Sequence, residues 1–95
     1  MEELTRVTVT IRITLREFLE HPGTELYGHQ ISRNTGVCTG TLYPILTRLA
    51  ASGWLSPRRE DSGECQESRP LRTYYRLTAE GSVAAAALLV RRPLP

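Results

Sequence analysis

The 95-residue sequence predicts a mainly helical α+β fold, a winged helix-turn-helix of three helices, a two-stranded hairpin wing and a short C-terminal helix. Three observations lead there. Two amphipathic segments, about residues 25–34 and 39–52, meet at a short turn containing Gly36, the layout of a helix-turn-helix. Two extended segments, Trp54–Arg59 and Leu71–Leu77, flank the polar loop "EDSGECQESRP" and read as a hairpin over 54–77. Helical segments at about 9–20 and 79–91 frame both. The length is that of one domain, 1–95, with a small core.

Residues 7–15 carry two patterns. Val7, Val9, Ile11, Ile13 and Leu15 alternate like a strand, whereas Ile11, Leu15, Phe18 and Leu19 keep a helical spacing. Length favours a helix, capped by Thr8 or Thr10 and broken at Pro22-Gly23. In "TELYGHQISRNTG", Thr24 is the expected N-cap, Glu25 suits the positive helix end, and Asn34 and Gly36 suit the C-terminus. Gly28 costs about 1 kcal/mol relative to Ala inside a helix, and close approach of another helix is a reason to accept that.

The next helix carries Leu42, Ile45, Leu46 and Leu49 at i, i+3, i+4 and i+7, one buried stripe. Thr39 or Thr41 is its expected N-cap. With Thr41 the missing N–H of Pro44 costs nothing; with Thr39 a bond to Gly40 is lost. In the second strand Tyr75 and Leu77 share one face, Tyr74 and Arg76 the other. Thr78 is expected to cap the last helix, with Val83, Ala84, Ala87 and Leu88 as its apolar stripe and Arg91 and Arg92 at its negative end.

Net charge is only +2, but its distribution is uneven. Residues 26–59 hold four Arg and no acid, while 60–67 hold four acids (Glu60, Asp61, Glu64, Glu67) and no base. A local positive surface is therefore compatible with a nearly neutral chain. All twelve bases are Arg, which suits phosphate and base edges better than Lys does, though coding bias explains the usage equally well. No apolar run reaches membrane-spanning length and residues 1–20 lack the order of a signal peptide, so no membrane partner and a cytoplasmic location are expected. Cys38 and Cys65 make no disulfide framework, and with His21 and His29 they match no common zinc spacing. No nucleophile elbow, paired-carboxylate constellation or phosphate-cradling Gly loop is present, so neither an enzyme nor a cofactor is expected.

Three blocks, "LYGHQI" at 26–31, "GTLYPILTRLAASGWL" at 40–55 and "RTYYRLTAEG" at 72–81, resemble the signature blocks of PadR-type transcriptional regulators in order and separation. The resemblance spans about residues 10–82. It implies a winged-helix repressor, usually a homodimer, with the helix matching 39–52 in the major groove of double-stranded DNA and the hairpin along the flanking backbone or minor groove. Many members add a long C-terminal domain, and some sense aromatic ligands. This sequence ends soon after Thr78, which makes a small-molecule effector doubtful and implies a short form of the family. The acids near the hairpin tip would repel phosphate, so deep insertion of the tip is not expected.

The side of 39–52 opposite the leucines holds Gly40, Tyr43, Pro44, Thr47, Arg48 and Ala51, with no acid. Small residues permit entry to a groove about 12 Å wide, Thr47 suits a thymine methyl or base edge, and Arg48 a guanine edge or a phosphate. Free N–H groups at 39–43, including those of Thr39, Gly40 and Thr41, suit a phosphate oxygen, as does the Tyr43 hydroxyl. Arg58, Arg59, Arg69 and Arg72 stand at the stem of the wing, where phosphates would pass. Each has a plainer reading: Tyr43 as a cover for a neighbouring helix, Arg48 as a solvated charge, Pro44 as a shaper of the first turn, and the stem Arg as partners of the wing's own acids. Trp54 is expected in the core. The rival function is a winged-helix module that binds protein and not DNA.

Overall fold

The computed structural model describes residues 8–63 and 69–91. The elements run α1 (Val9–Glu20), β1 (Leu26–Tyr27), α2 (Gly28–Thr35), α3 (Thr39–Ala51), β2 (Leu55–Arg59), β3 (Thr73–Leu77) and α4 (Ala79–Arg91). Glu64, Cys65 and Glu67, the side chain of Arg91, and Arg92 lie outside the described residues.

The ambiguous segment at the start is a helix. Thr8 caps it, its Oγ1 accepting from the Ile11 N–H at 3.2 Å, and Ile11, Leu15 and Phe18 are buried while Val9 is exposed. Burial selects the helical pattern because only that spacing puts three large apolar side chains on one side. They meet Leu26, Ile31, Leu42, Leu46, Leu49, Trp54 and Leu55 in one core.

The sheet has three strands in the order β1-β3-β2, not the expected two. Helix 2 accordingly starts at Gly28, with Tyr27 and not Thr24 at its N-cap. The reason is Leu26, buried at 1% exposure. It reaches the core from extended backbone, and that backbone pairs antiparallel with β3, Leu26 opposite Tyr75 and Tyr27 opposite Tyr74. The Tyr27 N–H then donates to the Gln30 side chain at 3.3 Å, and Gly36 closes the helix in the left-handed conformation (φ 80°).

Cys38, rather than Thr39 or Thr41, is the N-cap of α3, its carbonyl accepting from the Thr41 and Leu42 N–H groups at 3.1 and 3.0 Å. Pro44 therefore lies inside the helix and deprives the Gly40 carbonyl of its donor. Gly40 is an exposed residue, which suits a carbonyl that the helix leaves unpaired. Leu42, Leu46 and Leu49 form the buried stripe as the spacing predicts.

The apolar stripe of α4 is rotated from the expected one. Val83 is 73% exposed and Ala87 is exposed, while Gly81 and Ala85 are buried and Ala84 and Leu88 pack partly against the core. The first turn sets this phase. Thr78 Oγ1 donates to the Gly53 carbonyl at 2.8 Å and accepts from the Gly81 N–H at 2.9 Å, which lays Gly81 directly on the Trp54 carbonyl. A Cβ at 81 would collide with that oxygen, so only glycine permits the approach.

Candidate nucleic-acid interface

The open side of α3 is formed by the residues its leucine stripe leaves over. Gly40, Thr41, Tyr43, Pro44, Thr47 and Ala51 are exposed, and Thr39 and Arg48 are half-buried. No acid stands among them. The positive end of the helix, at Cys38 to Thr41, opens on the same side.

Tyr43 fits its plainer reading, a cover for the neighbouring helix, in part. Its ring covers Gly28 at the start of α2 and stands edge-on to His29, centroids 6.4 Å apart, yet 43% of the residue stays exposed. A Cβ at position 28 would sit 2.9 Å from Tyr43 Cζ and 3.0 Å from the hydroxyl oxygen. Close approach thus accounts for Gly28, though by a side chain of α3 and at the first turn of α2.

The Arg at the wing stem divide by strand register. Arg58 pairs with Tyr74 and Arg59 with Thr73 across the β2–β3 ladder. Side chains alternate along a strand, so neighbours in sequence take opposite faces. Arg58 lies on the outer face, across the Tyr74 ring (4.9 Å), its Nε and one terminal nitrogen on the Glu25 carboxylate at 2.8 and 3.1 Å. That guanidinium holds the Glu25 carboxyl below its ordinary pKa. An acid outside the wing is thus one partner of Arg58. Arg59 belongs to the inner face with Tyr75 and is exposed.

Glu60 organises the base of the loop. It is 4% exposed and accepts from Arg69 at 2.8 and 3.2 Å, from the Arg72 N–H at 3.2 Å and from the Tyr74 hydroxyl at 3.2 Å. Arg69 first, then the remaining donors, lower its pKa to about 2. One of the four acids expected to repel phosphate is thus neutralised inside the stem. Arg72 lies over the Tyr27 ring at 4.0 Å, and Tyr27 meets Tyr74 edge-on at 5.7 Å.

A cleft of about 650 Å³ separates the start of α2 and Tyr43 from the inner side of the wing. Among the described residues, four Arg line it, Arg33, Arg59, Arg69 and Arg72, with three Tyr and no acid. Arg33, on α2, is exposed and reaches the Tyr27 hydroxyl at 3.4 Å. Sequence reasoning passed over Arg33 and Tyr27, although the acid-free block contained both. Among the described residues no group of three His, Cys, Asp or Glu is placed to hold a metal ion, and no helix is long and apolar enough to cross a membrane.

The fold matches Bacillus subtilis PadR, solved in complex with operator DNA, with a TM-score of 0.74 and 22% identity. That match covers 93% of this chain but 51% of the Bacillus protein, so the chain spans about half its length. A PadR-like transcription factor from Bacteroides fragilis matches with a TM-score of 0.70 and 26% identity, over 86% of this chain and 78% of that one. A PadR-family regulator from Eggerthella lenta matches at 0.69 and 23%, over 86% and 70%. No curated protein matches the chain significantly. The model of the PadR-like family of transcriptional regulators matches residues 19–87, most of the sequence, and the chain belongs to that family.

Proposed function

We propose that the chain is a sequence-selective DNA-binding repressor that occupies an operator as a homodimer in the cytoplasm. The exposed, acid-free side of α3 carries this reading. Thr47 and Arg48 read base edges in the major groove. Thr39 and Gly40 offer N–H groups and Tyr43 its hydroxyl to a phosphate at the N-terminal turn, which Pro44 shapes; the Thr41 N–H, expected to be free, is instead taken by the Cys38 carbonyl. Of the stem Arg, Arg59 faces the DNA, while Arg58 and Arg69 serve chiefly to brace the wing through Glu25 and Glu60, and Arg72 lies on the Tyr27 ring on the same face as Tyr74. That the Bacillus protein, whose fold this chain shares, was solved in complex with operator DNA supports the reading. Burial of Glu60 weakens the rival reading of a protein-binding module, which drew on an acidic wing.

The homodimer draws support from α4. Val83, Ala86, Ala87 and Val90 recur at i, i+3, i+4 and i+7 and are all exposed, a second apolar stripe opposite the one on the core. A second copy related by a two-fold axis fits it, and two recognition helices lengthen an otherwise short footprint. Light scattering should give a dimer that Val83→Glu with Val90→Glu splits into folded monomers.

DNA from upstream of the chain's own gene, titrated across a salt series, tests the main reading. Binding should weaken steeply with salt. Thr47→Ala and Arg48→Ala should each bring operator and unrelated duplex closer in affinity, by about 1–3 kcal/mol per lost base contact. Equal affinity for every duplex before substitution, or none, would defeat it.

A further inference from the structure

The β2–β3 ladder ends at the Arg59–Thr73 pair, and β1 reaches only Tyr74 and Tyr75. Beyond that point Glu60 joins the two arms of the wing. Its N–H donates to the Arg72 carbonyl at 2.8 Å, one rung further out. Its carboxylate, 4% exposed, accepts from two nitrogens of Arg69, from the Arg72 N–H and from the Tyr74 hydroxyl. Tyr74 carries the tie inward. Its ring meets Tyr27, the N-cap of α2, and takes Arg58, which grips Glu25.

We propose that Glu60 is a positioning residue for operator selectivity, holding the wing at one pitch beside α3 so that both meet a single duplex geometry, without itself touching DNA. The inference rests on the regulator reading above and adds to it a determinant that lies outside the contact surface. A buried ion pair brings little net stability, because desolvating both charges offsets their attraction, and an apolar plug would close the stem as well. Directional hydrogen bonds differ in admitting one geometry. Here they converge on one carboxylate from both arms of the wing, and Tyr74 extends them toward the helix that precedes α3. Arg59, next to Glu60 in the chain, is exposed on the inner face, so a change of pitch displaces it.

Charge and position predict opposite outcomes. On charge alone, removing a carboxylate from a DNA-binding domain strengthens binding to every duplex. As a positioning residue, Glu60→Gln should weaken binding to DNA from upstream of the chain's own gene severalfold. Binding to an unrelated duplex of equal length should stay level or tighten, so the ratio of the two affinities falls. Tyr74→Phe removes one donor and no charge, and should lower the ratio in the same direction by less. The double variant should lower it by less than the product of the two, because they act as one unit. Asp61→Asn removes the same charge from the exposed next residue and should not lower the ratio. Ile31→Val lowers stability from the core, away from the wing, and should leave the ratio unchanged.

Circular dichroism at the assay temperature establishes that each variant is folded, and if Glu60→Gln is not, Tyr74→Phe carries the test. An unchanged ratio, both duplexes gaining affinity alike, or a ratio that falls as much in Asp61→Asn or Ile31→Val would overturn the positioning role and leave the regulator standing. An unaltered protein that binds every duplex equally, or none, would overturn both.

Discussion

Two glycines stand against close neighbours, and the kind of neighbour decides what a methyl group would do. At Gly81 an added Cβ meets the Trp54 carbonyl oxygen and lies 2.9 Å from both its carbonyl carbon and Thr78 Oγ1. At Gly28 it meets only the Tyr43 ring. The Trp54 backbone between α3 and β2 cannot readily yield, whereas a tyrosine that is 43% exposed can swing outward. Alanine gains up to about 1 kcal/mol of helix propensity over glycine, an upper bound this close to a helix start. Against this, overpacking costs about 1–3 kcal/mol, and displacing the first turn of α4 stretches the Thr78 cap, worth about 1 kcal/mol. Gly81→Ala should therefore lose about 1–3 kcal/mol. In Gly28→Ala an off-rotamer ring costs about 0.5–1.5 kcal/mol, so the net change should stay within about 1 kcal/mol. Urea unfolding followed at the single Trp measures both, with an unchanged m-value showing that only stability moved. A Gly81→Ala protein at least as stable as the original, or less harmed than Gly28→Ala, would refute the reasoning.

Two further outcomes follow from charge and chemistry. The Glu60 carboxyl is lowered from 4.5 to about 2, so its stabilisation is complete above pH 4.5 and fades as pH falls toward 2. Glu60→Gln should be less stable at neutral pH and show a flatter loss of stability over that interval, read by urea titrations at stepped pH; parallel profiles would contradict it. The Cys38 thiol is held below its ordinary pKa, chiefly by the Thr41 hydroxyl 3.3 Å away and then by the Thr41 and Gly40 N–H groups. Alkylation at Cys38 near neutral pH, mapped by mass spectrometry, should slow in Thr41→Val, and an unchanged rate would count against the hydrogen bond.

The helical order, the leucine stripe of α3 and the hairpin were legible because each rests on a local period. Elsewhere the sequence lacked the needed information. β1 is two residues long, below any alternation that a pattern can reveal, and only its partner β3 marks it as a strand. The face of α4 was misplaced because a run from Val83 to Val90 with no polar residue has no phase; Gly81 and the Trp54 carbonyl supply one. Glu60 read as one acid of a solvated loop, and its burial depends on donors 9 to 14 positions away. For the candidate site, the open side of α3 was readable from spacing. The division of labour between Arg58 and Arg59 was not, because a slip of one residue in the β2–β3 register would exchange their faces.

The shortness of β1 has a mechanical consequence. Its two residues pair with β3 and pass without a spacer into α2, so backbone alone ties the hairpin to the helix pair and leaves little slack for a change in the gap between them. Under the operator-binding reading proposed above, a gap fixed in this way would fit only a duplex of matching groove width. Sequences that narrow or widen the groove would then be discriminated by elastic cost at base pairs no side chain touches.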